Sequence, residues 1–251
     1  MSAPAESAAK LGDGPAGIPQ PVLVRGTGLL GASIGIGLSA AGVDVRLHDP
    51  SPAALAVAAD IRAGRPARLD AEGDDLDAAP GLVVVAAPPD VTADVVVDSL
   101  RRWPAAVVVD IASVKEAVAT GVRAAVDDGR LAPQDADRYL GTHPMAGSER
   151  SGPVAARGTL FTQAPWVLCP TDTTHPGALA AGRALALTLQ ATPYRMAARA
   201  HDESVALISH LPQIAASLVA SRLQDTALHH LSLAGQGLRD TTRIAGSDPG
   251  L

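Results

Sequence analysis

Aromatic side chains are nearly absent: one phenylalanine, two tryptophans and two tyrosines in 251 residues. A base-stacking platform for single-stranded nucleic acid is therefore not expected. Positive charge is also short: a net charge of −6 and a pI near 5.6 argue against a nucleic-acid binder, which normally needs a basic stripe to neutralise phosphates. Cys169 is the sole cysteine, which excludes an intrachain disulfide and a cysteine-based metal cluster. It lies in the apolar run WVLCP and reads as a buried thiol. Lys10 and Lys115 are the only lysines. No apolar run approaches a membrane span in length. Residues 1–20 lack an apolar core and read as a flexible tail, not a signal peptide. The expectation is a soluble, cytoplasmic protein with neither nucleic acid nor membrane among its partners.

What is present is apolar: 47% of the residues are hydrophobic, enough for a sizeable core. From residue 22, short apolar runs alternate with helix-like segments. The runs VLV, VDVRLHD, GLVVV, AAVVVD, RYLGTH, PWVLC and ATPYRM read as strands. Gly42 reads as a helix stop and Asp90 as a helix N-cap. DAEGDDLDAA reads as a solvated acidic connection. Repeated βαβ units predict an α/β, Rossmann-type doubly wound and mainly parallel sheet with helices on both faces. Past residue 198 the alternation gives way to one long helical pattern, which Pro212 is expected to kink. The predicted organisation is a tail over 1–20, a dinucleotide-binding domain over 21–198 and a smaller all-α domain over 199–251.

The stretch Gly26-Thr27-Gly28-Leu29-Leu30-Gly31 fits a dinucleotide fingerprint between a strand and a helix. Its first glycine suits the tight turn, the second the approach of a diphosphate and the third helix–strand packing. The helix N-terminus supplies free N–H groups for the anion. Asp49 ends the next strand, 18 residues after Gly31, where a carboxylate accepts from ribose hydroxyls. A 2′-phosphate there meets like charge, at about 4 kcal/mol for a pair of unit charges 4 Å apart in an intermediate dielectric. Arg46 is not placed just after Asp49 to offset it. The pattern favours NAD over NADP.

Ligands of such sheets gather at the carboxyl ends of the strands. Ala87 and Pro88 follow one strand, Ser113 and Lys115 another, and His143, Ser148 and Glu149 a third. His143 stands in GTHPMAGSERSG either as part of an ordinary surface turn or as a group held for proton transfer. The adjacent His201-Asp202-Glu203 reads as a helix-opening cap in preference to a site. His229 and His230, adjacent on a helix, are expected to face different ways, and no metal site is read. Arg243 on this reading alone is equally a helix-terminal or surface cation.

Five blocks in order carry a resemblance: GTGLLGAS, DIASVK, THPMAGSERSG, HDESVALISHLPQ and RDTTRIAGSDP. Together they resemble the prephenate dehydrogenase family, arogenate-specific enzymes included, from about residue 22 to the end. The resemblance implies NAD(P)-dependent oxidative decarboxylation of prephenate to 4-hydroxyphenylpyruvate, or of arogenate to tyrosine, within tyrosine biosynthesis. It implies that His143 hydrogen-bonds the ring hydroxyl, that Ser113 steadies that hydroxyl, and that Arg243 grips the ring carboxylate. Ser148 and Glu149 would line the substrate pocket, with His210 and Ser247 near it. Gly26, Gly28, Leu29, Leu30, Gly31, Asp49, Ala87 and Pro88 would hold NAD. A homodimer is the implied assembly.

The chemistry suits those residue types. As a hydride leaves the carbon bearing the hydroxyl, neutral imidazole can take the hydroxyl proton, and a forked arginine contact orients a carboxylate. Two departures stand out. Gln213 replaces a histidine common in the family near the substrate's three-carbon tail, and a neutral amide leans toward arogenate, whose tail carries an ammonium. The family pattern also continues past the SDP block with a tryptophan and further helices, whereas this sequence ends at Leu251. Competing readings are another hydroxyacid-type dehydrogenase and a non-catalytic NAD-binding sensor.

Overall fold

The computed structural model describes residues 9–10, 17–70, 73–147 and 151–246. Strands form where valine and leucine cluster: β1 (Val22–Arg25), β2 (Val45–His48), β3 (Leu82–Val85) and β4 (Val107–Asp110). β5 (Tyr139–Pro144), β6 (Pro165–Cys169) and β7 (Thr192–Arg195) follow. The spatial order is β2-β1-β3-β4-β5-β6-β7, with two-residue strands Arg65–Pro66 and Ala9–Lys10 at the outer edges. Strands β1 to β5 run parallel, β6 is antiparallel to β5, and β7 is parallel to β6. The fold is the expected α/β class, a doubly wound and mainly parallel sheet with an all-α region after it.

Two-residue periodicity explains the layers. Val22, Val24, Leu82, Val84 and Val109 point to one face, where α1 (Leu29–Ala40), α2 (Pro52–Asp60) and α5 (Pro176–Thr188) contribute Ile34, Leu38, Ala58 and Leu185. Leu23, Val83, Val85 and Val108 point to the other, against Val96 and Leu100 of α3 (Pro89–Arg102) and Val118 and Val122 of α4 (Glu116–Asp127). Because both faces are covered, the strands read as unbroken apolar runs. The chain leaves β1 toward β2 over one face and continues from β3 toward β4 over the other. The crossover direction thus reverses between β1 and β3, which leaves a crevice at their carboxyl ends.

The turn after β1 occupies that crevice. Gly26 has φ +107°, and a Cβ there would collide with the Ala86 carbonyl after β3; one on Gly31 would collide with the Gly26 carbonyl. Close approach requires glycine at both positions, and at Gly26 the positive φ requires it as well.

Three local expectations need correction. Within the stretch read as a tail, Ala9 and Lys10 pair antiparallel with Arg195 and Tyr194 at the sheet edge; residues 1–8 and 11–16 lie outside the described residues. Pro88, not Asp90, caps α3, and Asp90 sits in its first turn. The expectation that no apolar run approaches a membrane span is met only in part: α6 (Ala198–Ser221) has 24 residues, and an 18-residue stretch of it has a mean hydropathy of 1.4, long and apolar enough by length and composition alone. Around Pro212, α6 contains a π-helical segment, Ala206–His210, immediately before the following α-helical turn. The wider turn lets the helix continue past a residue that has no N–H to donate. A single turn at Leu228–Leu231, α7 (Gln236–Thr242) and a 3-10 turn at Arg243–Gly246 complete the helical part.

Gly26→Ala should destabilise the fold by about 1–3 kcal/mol through overpacking against Ala86, a fall of roughly 3–10 °C in Tm. Thermal unfolding followed by circular dichroism checks this, and an unchanged Tm would contradict the close approach.

Candidate functional site at the carboxyl edge of the sheet

The glycine turn is clamped from β2. Asp49 Oδ2 accepts from the Thr27 backbone N–H at 2.6 Å and from the Thr27 hydroxyl at 2.9 Å, while Oδ1 accepts from Ser51 N–H at 2.8 Å. Gly28 is the N-cap of α1, no side chain caps that helix, and its first turn holds no acidic residue. The N–H groups of Leu29 and Leu30 therefore open the helix without a competing side-chain acceptor, which suits a diphosphate. Arg46 is buried and paired with Asp44 at 3.2 Å and Asp77 at 2.7 Å, so it is committed away from any 2′-phosphate. Across the crevice, the Thr92 hydroxyl lies 3.0 Å from the Ala87 carbonyl and 2.8 Å from that of Pro88. This holds the loop between β3 and α3 in place.

The next strand end carries a buried ion pair that sequence reading missed. Asp110 and Lys115 have fully buried side chains and are directly paired. Lys115 Nζ also donates to the Thr142 carbonyl at 2.7 Å, and Asp110 accepts from the Tyr139 hydroxyl at 2.7 Å and the Ala112 N–H at 2.9 Å. Burial, then the Asp110 charge, pushes the Tyr139 hydroxyl well above its ordinary pKa, so it stays a donor. Lys115, read from sequence as a possible strand-end ligand, is thus an internal support. Ser113, two residues before it, is exposed.

His143 lies half-buried near the end of β5, opposite Val167 of β6. Its Nδ1 is 2.8 Å from His201 Nε2, and His201 Nδ1 is 2.7 Å from Asp202 Oδ1. Asp202 also accepts from the N–H of Lys115 at 2.8 Å and of Glu116 at 2.9 Å. Of the stretch His201-Asp202-Glu203 read as an opening cap, Asp202 does cap a helix, but the helix is α4; all three residues lie inside α6, whose N-cap is Ala197. No spacing rule could have found a cap that reaches across some 86 residues of chain. Burial acts first on Asp202, upward, but the Glu116 and Lys115 N–H groups and His201 hold the carboxyl below its ordinary range. Burial also lowers His201, with Asp202 opposing.

Of the other anticipated residues, His210 is exposed on α6, close enough for its charge to bear on His143. Gln213 is half-buried, and its Nε2 donates to the Ile244 carbonyl at 3.2 Å. That contact ties α6 to the turn bearing Arg243, which is itself exposed. Ser148, Glu149 and Ser247 lie outside the described residues. The His229 and His230 rings, expected to diverge, have centroids 4.0 Å apart. Among the described residues, no group of three or more His, Cys, Asp or Glu is arranged to hold a metal. Burial pushes Cys169 up to about 12, which keeps it an inert thiol.

A glycine turn at the reversal of a parallel sheet, followed by an all-α segment, defines a Rossmann-type α/β protein with a helical C-terminal part. The chain belongs to the prephenate dehydrogenase family: the model of that family's nucleotide-binding domain matches residues 36–192 and that of its dimerization domain residues 197–251. It is 36% identical over 226 residues to the Streptomyces niveus protein named "Probable prephenate dehydrogenase NovF", covering 90% of this chain and 59% of that one. The chain thus spans well under two thirds of that relative's length. Synechocystis arogenate dehydrogenase superposes with a TM-score of 0.71 at 29% identity, over 91% of this chain and 80% of the other. Aquifex aeolicus prephenate dehydrogenase, solved with hydroxyphenyl propionate and NAD+, shares the fold with a TM-score of 0.76 at 23% identity, over 91% of this chain and 78% of the other.

Burial first, then the charges of His201, Lys115 and His210, lower His143 from 6.5 to about 3, and only Asp202 raises it. A neutral folded imidazole faces an unfolded one that takes up a proton below about 6.5. Its contribution to stability is complete above that pH and is lost as pH falls toward 3. Urea unfolding at pH 7 and pH 5 should show stability declining with acid, less steeply in His143→Asn. His48 and His201, also lowered chiefly by burial, leave part of the slope in place. Equal slopes in the two proteins would contradict the buried neutral state.

Proposed function

We propose that the chain is an NAD-dependent prephenate dehydrogenase, acting on a small-molecule substrate. His143 would be the proton acceptor, Ser113 a partner of the ring hydroxyl and Arg243 the clamp on the ring carboxylate. The observation that carries this reading is His143 itself, held through Nδ1 at the same sheet edge as the glycine turn. Bound NAD supplies the hydride acceptor. Gly26, Gly28, Leu29, Leu30, Gly31, Asp49, Ala87 and Pro88 would hold it, the Asp49 charge disfavouring a 2′-phosphate. His143 takes the hydroxyl proton as the hydride departs. The electron pair of the bond to the carboxylate closes the aromatic ring, carbon dioxide leaves, and the proton returns to the phenolic oxygen. His210, Gln213 and, beyond the described residues, Ser148, Glu149 and Ser247 would complete the pocket.

A second reading, arogenate as the substrate, rests on Gln213, whose neutral amide does not repel an ammonium group. Turnover with NAD+ on prephenate and on arogenate, followed by nicotinamide absorbance, tests both. Activity on at least one is expected, with His143→Asn lowering kcat by about 10²–10⁴-fold while NAD+ binding is kept. Silence on both substrates with NAD+ bound would favour a nucleotide-binding sensor.

We also infer a domain division near residue 198 and a homodimer built on the helical part. Leu207, Ile208, Leu211, Ile214 and Leu218 of α6 are each between 54 and 65% exposed, an apolar stripe of the kind that marks an interface. A second copy covering this stripe accounts for its composition and agrees with the match to a dimerization domain. The protein should sediment as a dimer and Leu211→Asp as a monomer. A monomeric parent would overturn the assignment.

A further inference from the structure

We infer that Asp202 and His201 are positioning residues that select the tautomer of His143, leaving its Nε2 lone pair free for substrate. The inference rests on the reading of His143 as the proton acceptor and adds how that acceptor is prepared. Asp202 is anchored as a carboxylate by two backbone N–H groups at the start of α4. A carboxylate only accepts, so the proton in its 2.7 Å contact belongs to His201 Nδ1. Neutral His201 then offers a lone pair at Nε2. The 2.8 Å contact between the rings needs one N–H, and His143 Nδ1 must supply it. Neutral His143 is left with an unprotonated Nε2, which takes no hydrogen bond from the described residues.

The reverse order would place a proton on Asp202, where the N–H groups of Lys115 and Glu116 already point at both oxygens. The charged and titratable groups around His143 are His201, Asp202 and His210 from α6 and Lys115 from the approach to α4. Asp202 alone among them favours an imidazolium. The same carboxylate therefore fixes the tautomer before proton transfer and stabilises the ring after it.

Asp202→Asn separates this role from support of the fold. The amide keeps an oxygen for capping α4 but can turn an N–H toward His201 Nδ1, which reverses both rings and protonates His143 Nε2. In the full chain, long-range proton–nitrogen NMR of imidazole-labelled histidines reads the tautomers directly, with His143→Asn identifying the signals. The expected result is Nδ1–H on His143 in the parent and a shift toward Nε2–H in Asp202→Asn. With it, kcat should fall about 10²-fold or more, with KM for NAD+ and Tm little changed. Nε2–H in the parent, or an unchanged tautomer in the variant, would overturn the inference. Parent protein with the expected tautomer but no turnover would instead sink the catalytic reading and leave the tautomer assignment standing.

Discussion

The buried pair of Asp110 and Lys115 is the constraint on which the carboxyl edge of the sheet depends. Two ions withdrawn from water cost several kcal/mol each unless they are paired and their remaining hydrogen-bonding capacity is filled. Here Tyr139 and Ala112 donate to Asp110, and the Thr142 carbonyl takes a second N–H of Lys115. The two ions and their partners lie on three pieces of chain, so satisfying the charges fixes the end of β4, the approach to α4 and β5 together. Ser113 and His143 flank these anchors. Removing either ion would leave the other uncompensated, so the pair specifies geometry more than it adds stability.

Asp202 extends the same logic to the helical region. Its carboxylate meets the N-terminus of α4 and, through His201, the ring of His143. The first half of α6 is therefore bound to the sheet by polar contacts, whereas its second half presents an apolar stripe. One helix thus serves two environments, and its high mean hydropathy reflects the second. The π-helical segment stands at the junction between them.

Legibility follows the range of the interactions. Strand positions could be read because apolar runs report burial on both faces, and the glycine turn because its steric demand is local. At Pro212, where sequence predicts a kink, a π-helical segment precedes the proline, since the missing donor can be accommodated by rewinding the helix. What could not be read involves partners distant in sequence. Asp202 reaches α4, Lys115 turns inward to Asp110, and Gln213 meets Ile244. A histidine–aspartate pair inside a helix looks the same in sequence whether it faces water or another histidine. Lys115, one of two lysines, carried a compositional hint, because a lone strand-end cation is a conspicuous choice in an arginine-rich chain.

A half-buried histidine such as His143 carries an internal conflict. Burial keeps His143 neutral, the form that can accept a proton, yet the same burial makes the protonated ring costly. Lys115 and His210 deepen that cost by charge. A carboxylate placed one ring away resolves part of the conflict: through His201 it is too distant to hold His143 protonated at rest, but it favours the ring once a proton arrives. Direct contact between Asp202 and His143 would instead raise the resting pKa and fill the imidazole with a proton before substrate binds. The intervening histidine is thus an attenuator, and its near-complete burial keeps water from short-circuiting the field between carboxylate and ring.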